Sequence, residues 1–217
     1  QLRNEGHEIN HKKIQRLMRK EGLVCVQRKK RRYSSYKGTV GKIADNLINR
    51  DFTAEKANEK WFTDVTEFHL GTEKCYLSPI LDACGQEIVA WNTSVSPNLD
   101  QVHDMLRKAY QANPNLKGTI LHSDQGWQYQ HKSYVESLKK HGIIQSMSRK
   151  GNSMDNGLME NFFGILKCEM FYGQESKYRD IRDLMSAIDH YIHYYNEQRI
   201  KVKLKGRTPS QFRSSSL

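Results

Sequence analysis

Residues 61–70, WFTDVTEFHL, set one acidic side chain, Asp64, among Trp61, Phe62, Val65 and Phe68. So many β-branched and aromatic residues read as a strand, and a charge inside a strand is costly unless something compensates it. Two stretches of the same character follow, YLSPILDAC at 76–84 and QEIVAWNTSV at 86–95, with short turns at Gly71-Thr72 and Cys84-Gly85. The three read as consecutive antiparallel strands.

Further along, the spacing of apolar residues predicts a helix over 98–112, with Val102, Leu106, Ala109 and Tyr110 near one face. A strand over 119–123, a helix over 131–141 and a strand over 142–147 come next, and after SRKGNSMDNG two helices over about 155–171 and 179–197. Such an order is that of an α/β fold, a mixed β-sheet with helices packed on its faces.

Three carboxylates stand out by context. Asp64 lies inside the first strand; Asp124 ends the fourth, at the sheet edge where loops of α/β folds build sites. Glu160 falls in the first turns of a helix, near the apolar stripe Met159, Phe162, Phe163, Leu166 and Met170. Three half-buried carboxylates on neighbouring elements suit a divalent-metal site, because hard cations such as Mg²⁺ and Mn²⁺ prefer oxygen ligands. Two such ions about 4 Å apart serve in-line phosphodiester displacement. Lys167, seven residues after Glu160, lies two turns along the same face, where it either faces solvent, the plainer reading of the residue alone, or holds a phosphate beside the metals.

Other polar residues read more plainly. Asp82 is a turn cap, Asp155 favours the N-terminal dipole of its helix, and His190 and His193 pack among tyrosines. His122 at most supports a metal ligand. Cys25, Cys75, Cys84 and Cys168 show no CxxC pairing and read as free thiols of a reducing compartment. His7 and His11 are half of a zinc site that no second cysteine completes.

Charge is unevenly distributed over the 217 residues, whose formal net charge is +11. Residues 1–50 carry 14 Lys/Arg against 4 Asp/Glu and residues 196–217 carry 6 against 1, which leaves the middle slightly acidic. A polyanion held from both ends around an acidic cleft fits that pattern. Near the start, Asn10 caps a short helix with Ile14, Leu17 and Met18 on one side and Lys12, Lys13, Arg16, Arg19 and Lys20 on the other. A basic run follows at Arg28, Lys29, Lys30, Arg31 and Arg32, with tyrosines at 33 and 36. The expected division is a partial helix-turn-helix-like segment (1–26), a basic linker (27–50), the catalytic core (51–197) and a basic tail (198–217). No run of about 18 apolar residues and no signal peptide is present, so the chain reads as soluble and intracellular; it lacks an initiator methionine, as a processed or partial product would.

The motifs WFTDVT, HSDQGWQY and DNGLMENFFGILKCE, with 35 residues between Asp124 and Glu160, together resemble the D,D(35)E signature of retroviral-integrase-type transposases. The nearer resemblance is to bacterial insertion-sequence transposases whose catalytic part comes from a second reading frame, and it extends to YNEQR at 195–199 and LKGRTPSQF at 204–212. The resemblance implies a ribonuclease H-like fold, cleavage and strand transfer of DNA with two Mg²⁺ (or Mn²⁺), and Asp64, Asp124 and Glu160 as ligands. It also implies contacts with element ends and target DNA, action as a homo-oligomer, and a bacterial cytoplasmic, nucleoid-associated setting. Gln128 and Tyr129 would shape the site or touch DNA. The competing readings are a ribonuclease H-like nuclease and a truncated, non-catalytic DNA-binding inhibitor.

Overall fold

The computed structural model describes residues 2–24 and 41–216. Arg28, Lys29, Lys30, Arg31 and Arg32 lie outside the described residues. The strands are β1 (Lys60–Thr63), β2 (Thr66–Leu70), β3 (Glu73–Asp82), β4 (Ile88–Ser94), β5 (Ile120–Ser123) and β6 (Ile144–Met147). They form one sheet in the order β2-β3-β1-β5-β6, with β4 on the other side of β3. β3 runs antiparallel to β1, β2 and β4, while β5 and β6 run parallel to β1.

The stretch 61–70 is two strands rather than the one expected, broken at Asp64 and Val65. Thr63 pairs with Ile80 and Thr66 with Leu77, so the register runs on through the break and sets Asp64 opposite Pro79. Proline has no N–H to donate. Its carbonyl is taken by the Thr63 hydroxyl at 2.9 Å, so nothing on that side of Pro79 pairs with the Asp64 backbone. The ladder lapses where the carboxylate sits.

Alternation along the strands divides the core between two faces. Phe62, Phe68, Leu77, Leu81 and Ile88 pack against α5 (Gly157–Leu166) and α6 (Ile181–Glu197). Trp61, Ile80, Ala90, Leu121 and Met147 pack against α2 (Leu99–Ala112) and α4 (Lys132–Lys140) on the opposite face. After β5 the chain forms a one-turn helix, α3 (Trp127–Gln130). Its Tyr129 is fully buried in this second core.

α1 (His11–Lys20) is capped as expected: the Asn10 side chain accepts the Lys12 N–H at 2.9 Å, and Gly22 ends the turn at φ +67°. Among the described residues none of α1 is buried, and Leu17 and Met18 are about two-fifths exposed. Lys12, Lys13 and Arg16 are exposed. Residues 41–47 lie along β6, where the Asp45 carbonyl accepts the Met147 N–H at 3.2 Å and Ser146 Oγ accepts the Leu47 N–H at 2.9 Å. Gly41 passes so close to α3 that a Cβ there would stand 2.5 Å from the Gln130 carbonyl oxygen.

The tail folds back on the core through α7 (Pro209–Ser214), which Thr208 starts with a capping box. Arg213 reaches Asp82 at 3.0 Å and Glu87 at 3.4 Å, Arg199 pairs with Glu169 at 2.7 Å, and Lys201 donates to Gln86 Oε1 at 3.0 Å. These three cations are committed inside the fold, which corrects the expectation that the whole tail offers its charge to a polyanion. Asp82 does cap its turn, accepting the Cys84 N–H at 2.9 Å, and is fully buried beside Arg213.

Candidate active site

β1 and β5 are parallel neighbours, with Trp61 beside Leu121 and Phe62 beside His122. Two residues further along each strand, the same register brings Asp64 beside Asp124, on the sheet face that α5 covers, and adjacent strands lie about 4.8 Å apart. Both residues directly follow the last residues of these two central strands, at the same end of the sheet. Asp64 Oδ1 accepts the Val65 N–H at 2.7 Å, and Asp124 Oδ1 accepts the Gly126 N–H at 2.8 Å.

Glu160 approaches from α5. Met159, Phe162, Phe163 and Leu166 bury that helix against the sheet, and Glu160, in its first turn, is half-buried. The helix start is fastened to β1, because Asn156 Nδ2 donates to the Thr63 carbonyl at 3.1 Å. Asp155, just before it, is fully buried and accepts from Arg50 Nε at 2.9 Å, Arg149 Nε at 2.8 Å and Asn46 Nδ2 at 3.0 Å. The hydrogen bonds from Arg149 hold its carboxyl far below the usual range. Its task is therefore to join the 46–50 segment, the loop after β6 and the start of α5. That exceeds the dipole role expected of it.

Electrostatics tie the carboxylates together. Burial pushes the Asp64 carboxyl well above its ordinary value, and the charges of Asp124 and Glu160 push it further, against the pull of Lys167. Burial likewise raises Asp124, opposed by the Gly126 N–H. Lys167 stands where its charge favours ionised Asp64; its Nζ donates to the Glu67 carbonyl at 2.7 Å and lies 4.8 Å from the Phe68 ring centroid. Gln128 is half-buried, and a Cβ on Gly126 would stand 2.7 Å from its Nε2 and 2.9 Å from Asp124 Oδ1. A side chain there would have to push both ends aside.

Tyr129 cannot touch DNA as expected, because no part of it reaches the surface. His122 is also enclosed, Nδ1 against Ser146 Oγ at 2.8 Å and Nε2 against Ser148 Oγ at 3.1 Å, and burial lowers its pKa to about 4. His193 meets Trp91 edge-on with ring centroids 5.2 Å apart, and both it and His190 are exposed, which corrects the expectation that they pack among tyrosines. Among the described residues no three His, Cys, Asp or Glu side chains are gathered tightly enough to form a ready metal cage, His7 and His11 included. Arg50, Arg149, Asn156 and Gly126 escaped the sequence reading. Of these, only Asn156 lies in a flank that the motifs marked, DNG at 155–157.

The chain matches the Integrase core domain over residues 54–153 and again over 160–217, and an HTH-like domain over residues 1–31. It is 48% identical over 215 residues to the InsK protein of insertion sequence element IS150 from Escherichia coli K12, covering 99% of this chain and 75% of that protein. It is 50% identical to a transposase-like protein of Haemophilus influenzae, covering 98% and 97%, and 30% identical to the transposase InsF of IS3A from E. coli, covering 100% and 75%. Among solved structures it resembles the HTLV-2 integrase catalytic core domain in complex with magnesium, with TM-score 0.59 and 18% identity over 73% of this chain and 97% of that one. A chain of the simian T-cell lymphotropic virus intasome in complex with PP2A regulatory subunit B56 gamma gives TM-score 0.63 at 16% identity, covering 83% and 60%. The fold is thus that of the retroviral integrase cores, ribonuclease H-like. The chain belongs to the insertion-sequence transposases with an integrase core, polynucleotidyl transferases acting in DNA transposition.

Proposed function

We propose that Asp64, Asp124 and Glu160 together hold divalent cations, two Mg²⁺ or Mn²⁺, and that the chain uses them to cleave element ends and join them to target DNA. The convergence of like charge carries this reading. Asp64 is raised by its own burial and by two facing carboxylates, an arrangement that a cation relieves and that has no structural benefit without one. The donors are all oxygens, as Mg²⁺ prefers, and nothing soft stands among them.

When bound, such ions supply activation of an attacking 3′-hydroxyl and stabilisation of the departing oxygen. The chain's own residues do the rest. Asp64 and Asp124 are aimed by their loop N–H groups, Glu160 by the Asn156 tether to β1, and Lys167 holds positive charge beside Asp64 for a phosphate. Gln128 borders Asp124, on the side where DNA would enter. Lys12, Lys13 and Arg16 on exposed α1, and the run Arg28, Lys29, Lys30, Arg31 and Arg32, would take DNA phosphates without reading sequence.

Segments 1–26 and 27–50 would bind DNA, 51–197 would catalyse and 198–217 would close the core. Joining two ends calls for at least two copies acting together. No helix among the described residues is long and apolar enough to cross a membrane.

Strand transfer of labelled element-end oligonucleotides, with Mg²⁺ or Mn²⁺, tests the reading. Joined products are expected from the wild type and not from Asp124→Asn, which should keep its fold and its DNA binding. Metal-dependent joining by Asp124→Asn would defeat the assignment. Hydrolysis without joining in the wild type would favour a nuclease, and binding without chemistry an inhibitor.

A further inference from the structure

A pocket of about 440 Å³ lies between the end of α2, the loop into β5 and the turn from α4 into β6. Lys117, Lys139, Lys140 and His141 line it, and no acidic residue does. β5 and β6 begin here, whereas Asp64 and Asp124 follow the last residues of β1 and β5, so the pocket sits at the opposite end of the sheet from the carboxylates. At about 3.3 Å per residue, even Ile120, the first residue of β5, is about 13 Å from Asp124 along the strand.

The walls are fixed by their own contacts. The Tyr110 and His141 rings stack with centroids 3.6 Å apart, the Tyr110 hydroxyl meets Ser137 Oγ at 3.0 Å, and His141 Nδ1 donates to the Ser137 carbonyl at 2.9 Å. The two loops are tied to each other, because the Gly118 N–H donates to the Gly142 carbonyl at 2.9 Å. A Cβ on Gly142 would stand 3.2 Å from Lys117 Cα, so the Lys117 loop is drawn up against the end of α4.

Three cations thus share one rim. Among the described residues no ion pair takes Lys117, Lys139 or Lys140; the one carboxylate of α4, Glu136, pairs with Lys132 at 3.7 Å. Lys139 and Lys140 complement the negative end of their helix, which accounts for two of the three. It does not account for Lys117, brought to the same pocket by a separate loop. Uncompensated like charges on fixed walls suit a polyanion, whose charge relieves their repulsion.

We propose that this pocket holds the phosphodiester backbone of DNA, at phosphates remote from the reacting bond. Lys117, Lys139 and Lys140 take those phosphates without reading sequence. The role does not depend on the carboxylates being cation ligands.

The test is fluorescence anisotropy of a labelled duplex of unrelated sequence with the full chain, in chelator, over a range of chloride concentrations. Lys117→Gln/Lys139→Gln/Lys140→Gln is compared with the wild type and with Lys177→Gln/Arg179→Gln/Arg182→Gln. The latter removes the same charge from exposed positions around the start of α6. Each phosphate neutralised contributes about 0.9 to the slope of log affinity against log salt, so the pocket variant should lower that slope by about 2–3. The α6 variant should lower it by less than about 1. Lys117→Gln alone, in a loop outside any helix, should lower it by about 1 and carries the test where the triple variant folds poorly. An unchanged slope overturns the proposal, as do equal losses in the two triple variants, which would leave only net charge at work. Inorganic phosphate that displaces DNA from the wild type further than chloride of equal ionic strength, but not from the pocket variant, overturns it in favour of a free-anion site. A wild type that does not bind the duplex overturns it as well, and none of these results bears on cation binding at the carboxylates.

Discussion

Asn156 Nδ2 donates a 3.1 Å hydrogen bond to the carbonyl oxygen of Thr63, 93 positions away in sequence. Asp64 follows Thr63 directly, and Glu160 lies one helical turn after Asn156. One buried side chain therefore sets the distance between two of the three carboxylates. Asn156→Ala should cost about 1–3 kcal/mol, because the Thr63 carbonyl loses its buried donor. Joining activity should fall about a hundredfold, since a shift of about 1 Å in a reacting group has that effect. Denaturant unfolding and strand transfer measure the two separately; wild-type joining in the variant would show that the tether does not position Glu160.

Asp64 should make the metal-free protein less stable as pH rises. Its folded-state pKa is raised, so its contribution is fully present below the ordinary carboxyl value of about 4 and is lost as pH climbs through the folded value. Asp64→Asn lacks that loss. In chelator the variant should melt a few degrees above wild type at neutral pH, and the two should converge in acid. Parallel melting curves from pH 3 to pH 8 would contradict the electrostatic picture of the site.

Gly126→Ala separates geometry from stability. The φ of Gly126 is −55°, which alanine accepts, but its Cβ would press on Asp124 Oδ1 and the Gln128 amide. Both are ends of side chains and can give way, so stability should change by less than about 1 kcal/mol. The displaced Asp124 should nevertheless lower metal-dependent joining about tenfold to a hundredfold. Full activity in a normally folded variant would mean that the Asp124 carboxylate tolerates displacement.

Asp155 works in the opposite direction from Asp64. Hydrogen bonds from Arg149 and Arg50 lower its pKa, so its stabilisation is present above the ordinary carboxyl value and disappears as pH falls through that value towards the folded one. Asp155→Asn should cost about 2–3 kcal/mol at neutral pH through lost charge-assisted hydrogen bonds. The side chains of Arg50 and Arg149 are 42% and 55% exposed and can rehydrate, which keeps the loss below that of a stranded buried charge. Urea unfolding at pH 7 and pH 3 tests it: the deficit should be large at pH 7 and shrink at pH 3.

The amino-acid sequence by itself determined the family, the mixed sheet and the three carboxylates. These are local properties, since period-two alternation marks the strands, apolar spacing marks α5 and α6, and the flanks of Asp64, Asp124 and Glu160 form motifs read without knowing their neighbours. What only the tertiary structure decided were the relations between distant positions. The break at Asp64 depends on Pro79 across the ladder, the burial of Tyr129 on Tyr134 and Gln145, and the place of Asp155 on Arg50 and Arg149. The tail illustrates the same division, because Arg199, Lys201 and Arg213 read as free charge until Glu169, Gln86 and Asp82 are seen to claim them. A motif reports which side chains are available; whether a charge meets solvent, a carboxylate or an apolar wall is fixed by packing between segments far apart in the chain, and packing also sets what that charge can do.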